Sequence, residues 1–187
     1  MTDYCRSVHA HYSTKWASNP VERIWGKGPT RDLPLGFCVL EFAPTPVRKM
    51  WTYATCCMSV PSDLKPVELH LFSPIRSDSL VELLTAISHY HCKGKSIGLG
   101  HTLNFGRPWL DGSLCDHGLI SLPYLDGPEI ENCYQGAAGN VVQCLWLIPI
   151  TQSERDYKQT HGLEALEQRF DQSGFDYLDF RRLPVVP

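Results

Sequence analysis

Hydrophobic residues recur every four positions near the start of the chain. Between Asp3 and Trp16 they form one stripe, made of Tyr4, Val8, Tyr12 and Trp16. That spacing puts the side chains on one face of an amphipathic helix. Asn19-Pro20 then interrupts the pattern, because proline cannot continue a helix. The sequence therefore predicts an N-terminal helix within residues 1–20.

The next stretches have the composition and alternation of β-strands. Residues 36–42 and 47–59 are rich in aromatic, β-branched and other apolar side chains. Within residues 67–72, the apolar Val67, Leu69 and Leu71 alternate with the polar Glu68 and His70. The alternation predicts a half-buried strand, with Glu68 and His70 on the face away from the core.

The second half of the chain alternates short strand patterns with loops. Residues 97–105 and 118–122 are predicted strands, and residues 106–116 and 127–140 are predicted loops. Residues 141–150 are apolar at both odd and even positions. This run predicts a central strand covered on both faces.

Two capping boxes mark helix starts. Residues 79–82 (SLVE) precede an apolar stripe that predicts a helix to about residue 91, and residues 151–154 (TQSE) open a short helix before Gly162. A further helical stripe runs from residue 163 to about 172, and the residues after 174 predict one edge strand. This mixture lacks strict βαβ alternation, which favours an α+β fold with a mixed, largely antiparallel sheet flanked by helices. A chain of 187 residues is typical of a single domain.

Charge and apolar content narrow the class of protein. The chain has 17 Lys and Arg against 20 Asp and Glu, a formal charge of −3, which argues against a nucleic-acid binder that would need a basic stripe. No apolar run approaches the length of a membrane span, and the N-terminus has no signal-peptide core. We therefore expect a cytoplasmic protein without membrane contact, whose eight cysteines are thiols and form no disulfide.

The candidate catalytic patterns are incomplete. Gly94-Lys95-Ser96 resembles the end of a phosphate-binding loop, but His89 stands where its first glycine belongs. Clusters of His and Cys at 89–92 and 115–117 match no zinc module, and no nucleophile elbow occurs. The sequence therefore predicts no catalytic residue, no metal site and no cofactor site. Trp109, in a loop beside a proline, is expected to be exposed, as tryptophans at protein interfaces are.

Four segments, in this order and spacing, resemble the suppressor of fused (SUFU) domain family, in its bacterial stand-alone form. They are residues 51–59 (WTYATCCMS), 66–71 (PVELHL), 98–109 (GLGHTL followed by GRPW) and 145–157 (LWLIPIT with Glu154 and Tyr157). The resemblance covers about residues 35–180. It makes residues 1–187 one SUFU-like domain, with an N-terminal helix in 1–20 and a proline-containing tail at 181–187. Cys57 stands where the family often has glycine, a departure expected to leave the strand intact.

The resemblance implies a non-enzymatic protein-binding module. Stand-alone bacterial members are proposed immunity proteins that neutralise a toxin in toxin–antitoxin fashion by occluding it, and this is the leading hypothesis for the chain. A regulatory binder that holds an extended peptide or sequesters a transcription factor is the alternative, and a metal- or thiol-dependent hydrolase is a third. Residues 108–113 resemble an acidic peptide-contacting loop of the animal relative. Trp109 and Asp111 are therefore the candidate partner-binding residues, although Asp111-Gly112 is equally typical of a simple turn.

Overall fold

The computed structural model describes residues 2–28, 30–60, 63, 65–135 and 140–186. A short 3₁₀ helix lies at Thr30–Asp32. In chain order the other elements are α1 (Asp3–Lys15), β1 (Val21–Arg23), β2 (Cys38–Phe42), β3 (Trp51–Cys56), β4 (Val67–Ser73), α2 (Asp78–Cys92), β5 (Thr102–Asn104), β6 (His117–Ser121), α3 (Pro128–Glu131), β7 (Asn132–Gln135), β8 (Asn140–Ile150), α4 (Gln152–His161) and α5 (Leu163–Ser173).

The strands of the described residues form one mixed sheet in the order β1-β2-β3-β4-β8-β6-β5, with β7 paired to β8 outside this path. Only the β4–β8 pair is parallel, and all other neighbours in that described part are antiparallel. This confirms the α+β class and the largely antiparallel sheet. β1 and β5 lie at the two ends of this path, and β7 is paired with β8 alone among the described strands.

Helices cover both faces of the sheet. On one face α2 packs over β2, β3, β4 and β8 with Leu147 in the core, and on the other α1 and α5 cover different halves. Leu147 is fully buried, while Trp146, one residue earlier in β8, is 5 % exposed and packs under α5. The prediction that the strand at 141–150 is central and buried on both faces is therefore confirmed.

The prediction of a half-buried β4 was wrong. Every residue of β4 is buried, including Glu68 and His70. Their face is covered by α1, whose Tyr4 donates a hydrogen bond to Glu68 and whose Tyr12 ring lies against His70. The alternation in β4 therefore separates two buried faces, one packed in an apolar core and the other in a partly polar core.

Several element boundaries differ from those expected. α2 begins at Asp78 with Ser77 as its N-cap, and Glu82 forms an ion pair with Arg107 instead of closing a capping box. The predicted loop at 127–140 contains α3 and β7, and the predicted strand at 97–105 forms only β5. β1 was not predicted.

The C-terminal tail forms no edge strand in its described residues. Residues 174–186 run through turns and bends, held in place by Arg182. Its guanidinium donates to both carboxylate oxygens of the buried Glu154, at 2.6 and 2.8 Å. Glu154 also closes the predicted capping box with Thr151, which is confirmed.

Cys5 and Cys57 form a disulfide, so the expectation of eight thiols was wrong. The bond joins the first turn of α1 to the residue that follows β3, with 5.4 Å between the two Cα atoms. Cys57 has φ = +68°, in the left-handed region that glycine adopts without steric cost. This conformation gives a physical reason for a glycine at the position, and it shows that β3 has already ended at Cys56.

Candidate functional site

The loop between β5 and β6, residues 105–116, is held by its own hydrogen bonds. The Trp109 amide donates to the Cys115 carbonyl at 3.0 Å, and the Ser113 amide donates to the Leu110 carbonyl at 3.0 Å. At the base of the loop, Phe105 donates to the carbonyl of Asp116 at 2.9 Å. The backbone of the loop is therefore fixed before any partner arrives.

Trp109 lies at the buried base of this loop and does not project from its surface as the sequence predicted. The side chain is 4 % exposed and packs in the core cluster beneath α2, together with Leu110 and Cys115. Its indole nitrogen donates to Ser113 Oγ at 3.0 Å, and that oxygen also accepts from the Cys115 amide. The expected exposure of Trp109 was wrong, because the ring gains more by burying its apolar area once Ser113 supplies a partner for its N–H.

Asp111 lies at the exposed tip of the loop, one residue before Gly112. Gly112 has φ = +81°, and a Cβ at this position would lie 3.8 Å from Nε of Arg181. Leu114 is 56 % exposed beside it. The loop thus presents one carboxylate and one apolar side chain on a rigid backbone. No salt bridge among the described residues involves Asp111.

Glu68 is the centre of a buried polar network that the sequence did not indicate. Its carboxylate accepts hydrogen bonds from the Tyr4 hydroxyl at 3.0 Å, the Thr55 hydroxyl at 2.5 Å and the Met58 amide at 3.0 Å. Burial raises the pKa of Glu68 from 4.5 to about 7, although these three donors act in the opposite direction. The network fastens α1 to β3 and β4, so its role is structural.

His70, on the same face, is enclosed by the rings of Tyr12, Trp16 and Phe72. Burial lowers its pKa to about 3, so the imidazole is neutral at physiological pH. Neither ring nitrogen has a hydrogen-bond partner among the described residues. A neutral histidine in this position fills the core and offers no reacting group to solvent.

The two clusters considered as metal ligands stay apart and are bonded locally. His91 accepts from the Ile97 amide at 3.2 Å and lies 3.2 Å from Ser59 Oγ, while the Cys92 thiol donates to the Met58 carbonyl. His117 lies 2.7 Å from the Asp116 carboxylate. Within the described ranges, no group of three or more His, Cys, Asp or Glu side chains could hold a metal ion.

A cavity of about 970 Å³ opens beside the C-terminal end of α2. His91 and Cys92 contribute to its wall, along with apolar side chains such as Met58, Val67 and Ile97. His91 and Cys92 are engaged with the surrounding backbone and with Ser59, so neither side chain is free to react in the cavity. No helix in the part of the chain that the structure describes has the length and apolar content needed to cross a membrane.

The fold is a mixed sheet flanked by helices, and its loop at 105–116 exposes the Asp111 carboxylate on a hydrogen-bonded backbone. The family model for the suppressor of fused protein (SUFU) matches residues 34–183. A crystal structure of a SUFU homolog from Neisseria gonorrhoeae is 32% identical, with a TM-score of 0.86 over 99% of this chain and 98% of that chain. The chain belongs to the suppressor of fused family, as the four sequence segments indicated.

More distant members share the fold at lower identity. The crystal structure of the Sufu–Fu complex has a TM-score of 0.70 at 13% identity, covering 97% of this chain and 92% of that chain. Drosophila Suppressor of Fused has a TM-score of 0.71 at 13% identity, and the match spans 98% of this chain but 51% of the Drosophila chain. Comparison with curated proteins finds no match.

Proposed function

We propose that the chain is a non-enzymatic protein-binding module, and that it is an immunity-type protein that neutralises a toxin by occluding its active site. Family membership supports binding as the activity, since a Sufu protein has been crystallised in complex with Fu. The observation that carries the proposal is the rigid loop at 105–116, which presents the Asp111 carboxylate on a backbone that is already ordered.

A preformed loop favours tight binding because little conformational entropy is lost on association. Asp111 offers a carboxylate to a lysine or arginine of the toxin, and Leu114 offers apolar contact area next to it. The formal charge of −3 favours the approach of a basic partner. In this arrangement Trp109 is a positioning residue that fixes the loop from below.

A second candidate function is regulatory binding of an extended peptide at the neighbouring sheet edge. β5 has a neighbour, β6, on one side only, and it directly precedes the loop that carries Asp111. A peptide strand could pair with the free side of β5, as in other cases of strand addition. Asp111 would then contact a basic residue of the peptide instead of a folded toxin.

The proposal predicts that a gene next to that of this chain encodes a toxin domain, and the test uses that domain, purified as an inactive variant. Asp111→Lys should weaken its binding by about 2 kcal/mol or more, roughly 30-fold, because it replaces an attraction with a repulsion. The stability of the variant should change by less than about 0.5 kcal/mol, because the side chain is exposed. Glu22→Lys, an exposed charge reversal on the opposite edge strand β1, is the matched control and should bind like the wild type. Unchanged binding by Asp111→Lys at unchanged stability would place the interface elsewhere.

A further inference from the structure

A second surface feature lies at the C-terminal end of β6. The loop at 105–116, which we call the Asp111 loop, lies at the other end of this strand. A cavity of about 600 Å³ is bounded by α5, the residues that follow β6 and the first turn of the C-terminal tail. Trp146 and Phe170 form its floor and Tyr177 one of its walls, and the rings of Trp146 and Tyr177 meet edge to face at 5.6 Å. We call this cavity the α5 groove.

Part of the rim of the α5 groove is formed by exposed apolar side chains. Tyr124 is 60 % exposed and Leu125 is 48 % exposed, and both line the groove. Together with the aromatic floor they provide ring faces and apolar area that a bound side chain could cover.

The rest of the rim is acidic. Glu164, Glu167 and Asp171 line the groove from α5, where their spacing of three and four residues places them along one face of the helix. Glu167 accepts hydrogen bonds from Ser121 Oγ at 2.6 Å and from the Tyr124 hydroxyl at 3.5 Å. None of the three carboxylates takes part in a salt bridge among the described residues, and no lysine or arginine lines the groove.

The nearest arginines are already engaged. Arg48 is paired with Asp126, and Arg182 lies over the Phe175 ring but is paired with Glu154. Arg169 of α5 lies over the ring of Tyr157, which is not part of the groove. The negative charge of the groove is therefore left for an external cation.

The environment of Tyr124 is consistent with this charge. Desolvation raises the pKa of its hydroxyl, and the carboxylates of Glu167 and Asp171 raise it further. A group at the mouth of the groove thus lies in a field that disfavours negative and favours positive charge.

We propose that the α5 groove is a docking site for an arginine side chain of a protein partner. Guanidinium is planar, stacks on aromatic faces and donates in a fork that fits carboxylates, so it matches a site with aromatic walls and free carboxylates better than the compact ammonium of lysine does. The inference extends the proposed function by giving a basic partner a second contact, some distance from the Asp111 loop. The support for the groove comes from its own residues and does not depend on the Asp111 loop.

The experiment is a calorimetric titration of the wild-type protein with the peptide acetyl-Leu-Arg-Leu-Arg-Leu-amide. We expect a dissociation constant below about 1 mM, an affinity within reach of a few side-chain contacts. The citrulline version of the peptide, which keeps the shape and loses the charge, should bind at least about tenfold more weakly, and the lysine version should fall between the two. Equal binding of the arginine and citrulline peptides, or no binding of the arginine peptide, would overturn the proposal.

Protein variants locate the site. The double variant Glu164→Gln/Asp171→Asn should bind the arginine peptide about tenfold more weakly, as expected for the loss of two exposed charge pairs. Glu22→Gln removes one exposed carboxylate on β1, which has no part in either proposed contact, and should leave peptide affinity unchanged. An unchanged affinity of the double variant, or an equal loss in Glu22→Gln, would refute the assignment to the groove. The binding of Asp111→Lys to the toxin domain is measured independently of these peptide titrations. The proposed function and the proposed arginine site can therefore fail separately.

Discussion

Replacing Glu68 with glutamine should remove a large part of the pH dependence of stability. Glu68 is completely buried, and burial raises its pKa from 4.5 to about 7 in the folded protein. Between these values the unfolded chain has lost the proton while the folded protein still holds it, so raising the pH favours unfolding. The stabilising contribution is present in full below pH 4.5, falls through this window and is constant again above about pH 7.

The size of the effect follows from the shift. Raising the pKa from 4.5 to about 7 corresponds to roughly 3 kcal/mol in total, and most of it, about 2–3 kcal/mol, falls between pH 5 and pH 8. Glutamine cannot ionise, and its carbonyl can still accept from the Thr55 hydroxyl and the Met58 amide. The Tyr4 hydroxyl can rotate to accept from the new amide.

The assay is urea unfolding of the wild type and of Glu68→Gln at pH 5, 6, 7 and 8. The difference in unfolding free energy between the two should shift by about 2–3 kcal/mol in favour of the variant from pH 5 to pH 8. Glu164→Gln, which removes an exposed carboxylate, controls for the loss of one negative charge. Parallel pH profiles for the wild type and Glu68→Gln would refute the reasoning.

Three further predictions concern the core and its covalent link. Trp109→Ala should cost about 3–5 kcal/mol of unfolding free energy while Asp111→Asn stays within about 0.5 kcal/mol, and an equal effect of the two in thermal unfolding would contradict the buried base of the loop. Leu147→Ala should lower the unfolding free energy by about 2–5 kcal/mol and Trp146→Ala by about 3–5 kcal/mol, because both faces of β8 are covered. If denaturant unfolding showed a loss for only one of the two variants, one face of β8 would be exposed. Cys5→Ser should cost about 4 kcal/mol, since the lost disulfide closes a separation of 52 residues, and thiol titration of the non-reduced, denatured wild type should find six free thiols rather than eight.

The elements with long, regular patterns could be predicted from the sequence. The apolar residues spaced four positions apart predicted α1, and the apolar run at 141–150 predicted β8 with both faces covered. The Thr151 capping box also formed as expected, because its two hydrogen bonds involve residues only three positions apart. In these cases the physics that decides the structure is local, or depends only on the average polarity of a segment.

The errors arose where distant segments meet. Glu68 looks like a solvent-facing residue until α1 is placed over it and supplies the Tyr4 hydroxyl. Trp109 looks exposed until the core cluster beneath α2 is seen to enclose its ring. Cys57 looked like a neutral replacement of glycine, and its left-handed backbone and its bond to α1 are tertiary features that no local pattern carries.

The candidate site was predicted in part for the same reason. The resemblance to the SUFU family selected the loop at 108–113, and the structure shows that Asp111 is exposed there. Its contact with a partner stays a prediction. The α5 groove was not foreseen, because it is assembled from β6, β8, α5 and the tail. Its acidic residues, seen along the sequence, are typical of a solvated helix face.

The most direct test of binding through the Asp111 loop is a double-mutant cycle with the toxin domain. Asp111→Asn is combined with neutralisation of each lysine or arginine on the surface of the toxin domain, and the dissociation constants of all combinations are measured. The account predicts that one basic residue couples to Asp111 by about 1.5 kcal/mol or more, the range of close charge pairs at interfaces. Additive effects throughout, with no coupling to any basic residue, would contradict it.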